Sequence, residues 1–465
     1  MAEKLERRLE GLFDHHGVLC VFFALIILTM LKAGNIGIIG GMGVMLCCAG
    51  LMQGGAKADM WILVPLILYN LFSAAASYVT FKNVVEGYAS TQLIFPAVYL
   101  MMACMDEGEL QLLRRLSALW AGAAACQVLL RFTWQAMDGG MGRAGGMLGN
   151  PNAMGIFLVL GWFLLQDGNE DRDGQECSPE CGIQRPAAIK SLEPVLLAAL
   201  ALTLSMGSFL SMAAGIGVLA VQKAGRDSRK AALWHGIRVL AKASLAVGTG
   251  ILMYIGSDQT DGPWICIVIF LYIFALAWQW ERFDRFLKKY RAAAAAIAAM
   301  GFMVAAAAVM ARPNSAYTFL ERLAMMKNGL GYFISRPLLG VGPYQWRGLN
   351  LYDADPYFNT YHIHNVFVHV GAELGAGALA MMAAIGIRCF LKKKAYVRRA
   401  GCAAFLCHNL MDTGFFYPGI VVMAMIMGGE PGSGGRQLKA GTVRALFGSL
   451  GAVFAWNLYW YIRMT

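Results

Sequence analysis

The chain predicts an all-α, polytopic integral membrane protein of about 12–15 transmembrane helices, each near the roughly 20 apolar residues that cross a bilayer. Three observations carry this. Of 465 residues, 58% are hydrophobic and only 14% charged, and the mean hydropathy is +0.54. A soluble domain carries about 25% charged residues, so a soluble fold would have too little polar surface to face water. The apolar residues come in long blocks, and the Lys and Arg residues gather in the short stretches between them. That placement gives the net charge of +11 a membrane explanation and excludes a nucleic-acid partner as its reason.

Hydropathy places the spans, in order, at 17–33, 36–54, 60–80, 87–105, 116–136, 152–166, 193–205, 208–222, 233–255, 263–280, 292–311, 364–390, 401–411, 417–429 and 441–461. The first block continues past Met30 without a small-residue cleavage site, so it reads as a span and not a signal peptide. The pairs 193–205/208–222 and 401–411/417–429 are short. They read as tight hairpins, or as broken helices whose irregular backbone must be buried in protein or line a cavity. Lys4, Arg7 and Arg8 set the N-terminus inside. Lys57, Arg114–Arg115, Lys223–Lys230, Glu281–Arg291, Lys392–Arg399 and Arg436–Arg444 then fall on the same cytoplasmic side. The opposite loops hold Lys82 alone, then Ser205–Ser208, then Ser257–Pro263.

The chain divides into N-terminal membrane helices (1–136), middle membrane helices (137–311), an extracytoplasmic loop (312–363) and C-terminal membrane helices (364–465). The polar segment 166–190 reads as a solvated cytoplasmic connector, and its Cys177 and Cys181 have no second pair or histidine beside them. The eleven cysteines lie mostly inside spans as small core residues, with no disulfide framework or zinc spacing. The 52-residue loop is far longer than the other outer loops, and loops of that length inside a compact protein are usually functional or disordered. Its aromatics and glycines predict a segment folded over the membrane surface.

Candidate chemistry follows from cations on the side where they are disfavoured. These are Arg143, in DGGMGRAGGMLGNPN, and Arg312, Arg322, Arg336 and Arg347 in the long loop. Arg322 lies one residue off the apolar stripe Phe319, Leu323, Met326 and Leu330, whose spacing predicts an interfacial helix. His362 and His364 stand where this loop becomes an apolar span, at a position where a neutral imidazole can take a proton from a hydroxyl. His369, five residues past His364, is about 140° further round a helix and faces elsewhere. Asn365 is placed to fix the imidazole or contact a substrate oxygen. Asn152, in Asn150-Pro-Asn152, is placed to cap the next helix and offer its N–H groups to an anion. Asp412 reaches the same face as a partner for an arginine. Arginine's planar fork suits diphosphate oxygens. A histidine beside such a clamp suits attack by a sugar hydroxyl on a phosphate-activated sugar. No acidic pair of the DxD kind stands near, so no metal and no cofactor is expected.

With these residues in place the chain resembles the O-antigen ligase and O-antigen polymerase family of bacterial membrane glycosyltransferases. The resemblance is carried by Arg143-x-x-Gly-x-x-x-Asn150-Pro-Asn152, by Arg322 followed by Ser335-Arg-Pro-Leu-Leu-Gly-Val-Gly342, and by His364-Asn365 with Glu373-Leu-Gly375. It implies a dozen or so helices with a large outer loop between two late spans. It also implies transfer of a glycan from undecaprenyl diphosphate to an acceptor sugar on the outer face of the cytoplasmic membrane. Arg322 would hold the diphosphate, and His364 would assist the acceptor hydroxyl. The family pattern has an arginine in a Ser-Arg-Gly element, where this chain reads Ser205-Met-Gly-Ser208, and Arg143 is the candidate to supply that charge. The alternatives are a secondary transporter, whose ligands normally sit near the midplane, and a catalytically inactive relative.

Overall fold

The computed structural model describes residues 16–31, 35–139, 142–167, 187–226, 228–259, 261–311, 315–353, 360–391, 396–429 and 435–464. Lys4, Arg7, Arg8, Cys177, Cys181 and Arg312 lie outside the described residues. The first helices are α1 (His16–Met30), α2 (Ile36–Leu51), α3 (Met60–Phe81), α4 (Ile94–Cys104) and α5 (Glu107–Met137). Next come α6 (Pro151–Gln166), α7 (Leu192–Thr203), α8 (Met206–Arg226), α9 (Arg229–Gly256), α10 (Gly262–Lys289) and α11 (Arg291–Ala311). The chain continues through α12 (Ser315–Ser335), α13 (Gln345–Asp353), α14 (Val366–Leu391), α15 (Tyr396–Asn409), α16 (Pro418–Gly428) and α17 (Ala440–Met464). Among the described residues, α3, α5, α8, α9, α10, α14 and α17 are long and apolar enough to cross a membrane, and shorter apolar helices accompany them. The protein is an all-α, polytopic integral membrane protein.

Local chemistry sets several boundaries. Asn35, Asp59 and Ser228 cap α2, α3 and α9 by accepting backbone N–H bonds. Leu204, at φ +47°, parts α7 from α8, so the short block expected at 208–222 is a full helix running to Arg226. The block expected at 87–105 is in two pieces, a turn at Ala89–Gln92 and then α4. The interval 312–363 contains two helices, α12 and α13. The sequence reading has no counterpart for strands β1 (Gly55–Ala58) and β2 (Arg436–Lys439), which pair antiparallel with Gly55 opposite Lys439.

The chain forms two compact units. The first holds the described residues of 1–116, 320–392 and 409–465. Within it, α2 meets α17 through Gly43 and Gly50, where an added Cβ would lie 2.5 Å from the Phe454 ring and 2.4 Å from the Phe447 ring. Small residues allow this close approach in a medium that gives helices no hydrophobic reason to associate. Helices α3 and α14 run side by side in opposite directions. Arg388 near the end of α14 donates to Asp59 at the start of α3 (Nε–Oδ2 2.9 Å), and Gly377 packs on the Phe72 ring between the ends. The start of α14 therefore lies at the end of the pair away from Arg388 and Asp59.

The second unit holds the described residues of 117–319 and 393–408. A buried carboxylate ties several of its helices together. Glu193 on α7 accepts from Trp162 Nε1 on α6 (3.2 Å), Trp280 Nε1 on α10 (2.8 Å) and Lys242 Nζ on α9. One ion pair thus ties four helices. A buried charge is tolerated only where it is paired and hydrogen-bonded in this way.

Candidate active site

Helix α12 delivers Arg322, and the turn between α15 and α16 delivers Asp412. Arg322 donates through Nη1 to the Met411 carbonyl and through Nη2 to Asp412 Oδ2 at 3.3 Å. Asp412 is 3% exposed, and Arg322 is 22% exposed. The other carboxylate oxygen, Oδ1, accepts from the Thr413 N–H at 2.9 Å and stands 3.5 Å from His364 Nδ1. His364 Nδ1 is buried, while the side chain as a whole is 21% exposed. The ring therefore turns Nδ1 toward Asp412 and its accessible part away from it. Asp412 joins the arginine and the histidine into one cluster.

Asn365 holds the ends of this arrangement but does not orient the imidazole. Its Oδ1 accepts the Val368 N–H (3.0 Å), which caps α14, and its Nδ2 donates to Leu410 O (3.0 Å). The carboxylate of Asp412 takes the place beside the ring that the sequence reading gave to Asn365.

Behind the cluster lies a second network, around Glu373. Helix α14 is broken at Gly375 (φ +79°, ψ −175°), which frees backbone groups that a continuous helix would pair internally. The loop from Pro337 to Gly342 satisfies them. Ala376 N–H donates to Pro337 O (2.7 Å), Val341 N–H to Ala372 O (2.8 Å) and Gly342 N–H to Glu373 O (3.1 Å). The fit is too close for side chains: a Cβ on Gly375 would lie 2.2 Å from Leu338 O, and one on Gly340 (φ +67°) 2.3 Å from the Glu373 carbonyl carbon. The Pro-Leu-Leu-Gly-Val-Gly and Glu-Leu-Gly elements are two halves of one backbone joint.

The Glu373 carboxylate, fully buried, accepts the N–H groups of Tyr344 and Trp346 (2.9 Å each), capping α13 from another helix, and the Tyr88 hydroxyl (2.6 Å). Burial and then the Glu373 charge push the pKa of the Tyr344 hydroxyl up to about 12, so it keeps its proton. His369 completes the network. It accepts the Ile363 N–H at Nδ1 (3.3 Å) and turns Nε2 toward His362 Nδ1 (3.2 Å), Tyr88 Oη (3.1 Å) and Glu373 Oε2 (3.4 Å).

His362 was expected to meet substrate, yet it stacks on Phe416 at 4.2 Å and gives one nitrogen to His369. Burial, then the neighbouring His369 and His364, hold its pKa well below the ordinary histidine value. Arg336 is exposed. Arg347 on α13 lies over the Tyr361 ring with Cζ 3.9 Å from its centroid. Among the described residues no three His, Cys, Asp or Glu side chains converge as a metal site.

Arg143 and Asn152 belong to the second unit, where Arg143 donates to Asn152 Oδ1 and, through Nε, to Thr203 O at 2.9 Å. The cap of α6 is Asn150 and not Asn152. Pro151, with its fixed φ and no N–H, takes the first helical position, so the residue before it must cap. Asn150 Oδ1 accepts from Asn152 N–H (2.8 Å) and Ala153 N–H (3.2 Å), leaving the Asn152 side chain to hold the arginine. Tyr88 is absent from the sequence reading, as is any role for Glu373 in capping α13. An ionisable residue inside an apolar span was the available signal for Glu373.

The fold and the cluster define a class: a polytopic helical membrane protein with a charged, partly exposed Arg–Asp–His arrangement at the end of its spans. Residues 243–383 match the family model described as O-antigen ligase, which bears out the resemblance read from the sequence. The matched stretch contains Arg322, Arg336, Arg347, His362, His364 and Asn365. Arg143 and Asn152 precede it, and Asp412 follows it. No curated protein matches the chain.

Proposed function

We propose that the protein is a membrane glycosyltransferase that moves a glycan from undecaprenyl diphosphate to a hydroxyl of an acceptor sugar, as a polysaccharide polymerase or ligase. The family match supports the reaction class, and the Asp412 bridge between Arg322 and His364 is the observation that carries the mechanism. Nδ1 faces the Asp412 carboxylate at 3.5 Å, which leaves Nε2 as the nitrogen to serve as acceptor. Nε2 takes the proton of the acceptor hydroxyl as its oxygen attacks the anomeric carbon. The bond from that carbon to the diphosphate oxygen breaks, and its electron pair leaves with undecaprenyl diphosphate. Arg322 uses two of its five N–H donors on Met411 and Asp412, and the remaining donors suit the growing charge on the leaving group. Asn365 holds the Leu410–Asp412 turn against the start of α14.

Arg143 is proposed as a second anion-binding residue, with Asn152 as its support. Its guanidinium rests on the carbonyl of Thr203, three residues before Met206, where the family pattern has its arginine. Arg336 is proposed to draw the anionic donor to the surface, and His362 to shape the floor beneath it. Reaction on the extracytoplasmic face of the inner membrane is supported by the distribution of charge in the first unit. Lys57, Arg436 and Lys439 on the paired strands, and Arg388 on Asp59, lie at the opposite end of α3 and α14 from His364.

The test is incubation of detergent-purified protein with the undecaprenyl-diphosphate-linked oligosaccharide of its own host, comparing wild type with His364→Ala. Release of undecaprenyl diphosphate with longer glycans, lost in the variant, is the polymerase result. Release only after a separate acceptor is added is the ligase result. Absence of release from wild type with both substrates present overturns the proposal.

A further inference from the structure

Tyr361 is unusual among the aromatics near the cluster. Tyr88, Phe416 and His362 pack on one another, whereas Tyr361 is 68% exposed and projects from the segment that leads into His364. One side of its ring is backed by the Arg347 guanidinium, with Cζ 3.9 Å from the centroid. Arg347 in turn sits on α13, whose first turn is capped by the buried Glu373 carboxylate. An exposed aromatic face backed by a guanidinium is what the apolar C–H face of a pyranose stacks on.

We propose that Tyr361, backed by Arg347, is a stacking subsite for the acceptor glycan. This rests on the transferase reading and adds to it the residues that select acceptor length. His364 is three positions after Tyr361, so their Cα atoms are at most about 10 Å apart. A sugar stacked on Tyr361 is then held close to the sugar whose hydroxyl meets His364, within one acceptor chain. The enzyme should use an acceptor of one full repeat unit better than a single sugar.

The experiment uses the full chain, the host's lipid-linked oligosaccharide as donor, and two acceptors prepared from the same glycan as methyl glycosides: its terminal monosaccharide and its complete repeat unit. Tyr361→Ala should raise KM for the repeat unit about three- to tenfold with kcat little changed, and raise it far less for the monosaccharide. Tyr361→Trp should restore the wild-type KM. An equal rise for both acceptors, or no rise for either, overturns the subsite and leaves Tyr361 as an interfacial aromatic. Saturation-transfer NMR of the repeat-unit methyl glycoside on wild type and Tyr361→Ala gives a readout independent of turnover. Signal lost in the variant supports the subsite, and no signal from wild type overturns it. An inactive wild type that still binds this glycoside through Tyr361 would instead count against the transferase reading alone.

Discussion

The first unit contains two histidine–carboxylate pairs of almost equal length. His364 Nδ1 stands 3.5 Å from Asp412, and His369 Nε2 stands 3.4 Å from Glu373. Both carboxylates are buried, so distance and carboxylate burial do not tell the pairs apart. Their surroundings do. Glu373 is satisfied by two backbone N–H groups and a tyrosine hydroxyl, and both nitrogens of His369 face protein groups. Asp412 is shared with Arg322, and both Arg322 and His364 beside it are about one-fifth exposed. A histidine can act on a substrate only through a nitrogen that the fold leaves open. The His369–Glu373 pair holds backbone in place, whereas the His364–Asp412 pair keeps partly exposed groups beside it, as the proposed contact with substrate requires.

The sharpest way to break this comparison is to remove each imidazole. His364→Ala should lower transfer by on the order of 10²–10⁴-fold, the usual contribution of a positioned base, with an unchanged thermal midpoint. His369→Ala should do the reverse. It leaves the buried Ile363 N–H without its acceptor, a cost of about 1–3 kcal/mol, so the midpoint falls while the remaining folded protein keeps most of its turnover. Thermal unfolding alongside undecaprenyl diphosphate release checks both. Equal losses of turnover in the two variants, with stability intact, would erase the distinction drawn here.

Gly375→Ala probes the joint that carries both pairs. The residue has φ +79°, and the new methyl would meet Leu338 O at 2.2 Å. Strain in such a backbone costs on the order of 1–3 kcal/mol, and relief requires the Pro337–Gly342 loop to move away from α14. The expected result is a lowered midpoint together with lowered transfer, because Arg347 and the Tyr361–His364 segment rest on that loop's neighbours. Limited proteolysis within 336–344 should report the loosened loop directly.

These two regions also differ in how far the sequence revealed them. His364, Arg322 and Asp412 were each legible as charge at a boundary where the flanking loops are nearly bare. Their joining was not, because Asp412 arrives on a short turn between helices far along the chain. Glu373 and Gly375 enter the sequence analysis only as elements of a family pattern, although an ionisable residue inside an apolar span also marks Glu373. Their physical role depends on a helix break that pairs with an earlier loop, and no local periodicity encodes that. The cap of α6 was recoverable: Pro151 alone selects Asn150 over Asn152. Strands β1 and β2 were not, since four residues each are too few for an alternating pattern to stand out.

Glu373→Gln is a milder probe of the same joint. The amide must turn its NH₂ toward one of the donors that the carboxylate now accepts, so at least one buried hydrogen bond is lost and two donors face each other. A loss of about 1–3 kcal/mol follows, measured as a denaturation midpoint in detergent. Asp412→Asn, in the more open pair, should cost less stability and more turnover. The comparison predicts that crossing of effects, and parallel changes in the two variants would contradict it.

The smallest effect expected is a pH dependence of stability centred on His362. Its pKa in the folded protein lies well below the ordinary histidine value of about 6.5, chiefly through burial and then through the nearby His369 and His364. The unfolded chain therefore binds more protons than the folded one at pH values between the two pKa values, and stability rises with pH across that interval. Above about 6.5 the neutral ring is no burden. As pH falls below that value, the unfolded state gains a proton that the stacked ring against Phe416 resists, and the midpoint should decline. His362→Phe keeps the stack without the titrating nitrogen, so it should flatten the decline below pH 6.5 relative to wild type. An unaltered slope in that variant would place the acid sensitivity elsewhere and remove His362 from the buried side of the comparison.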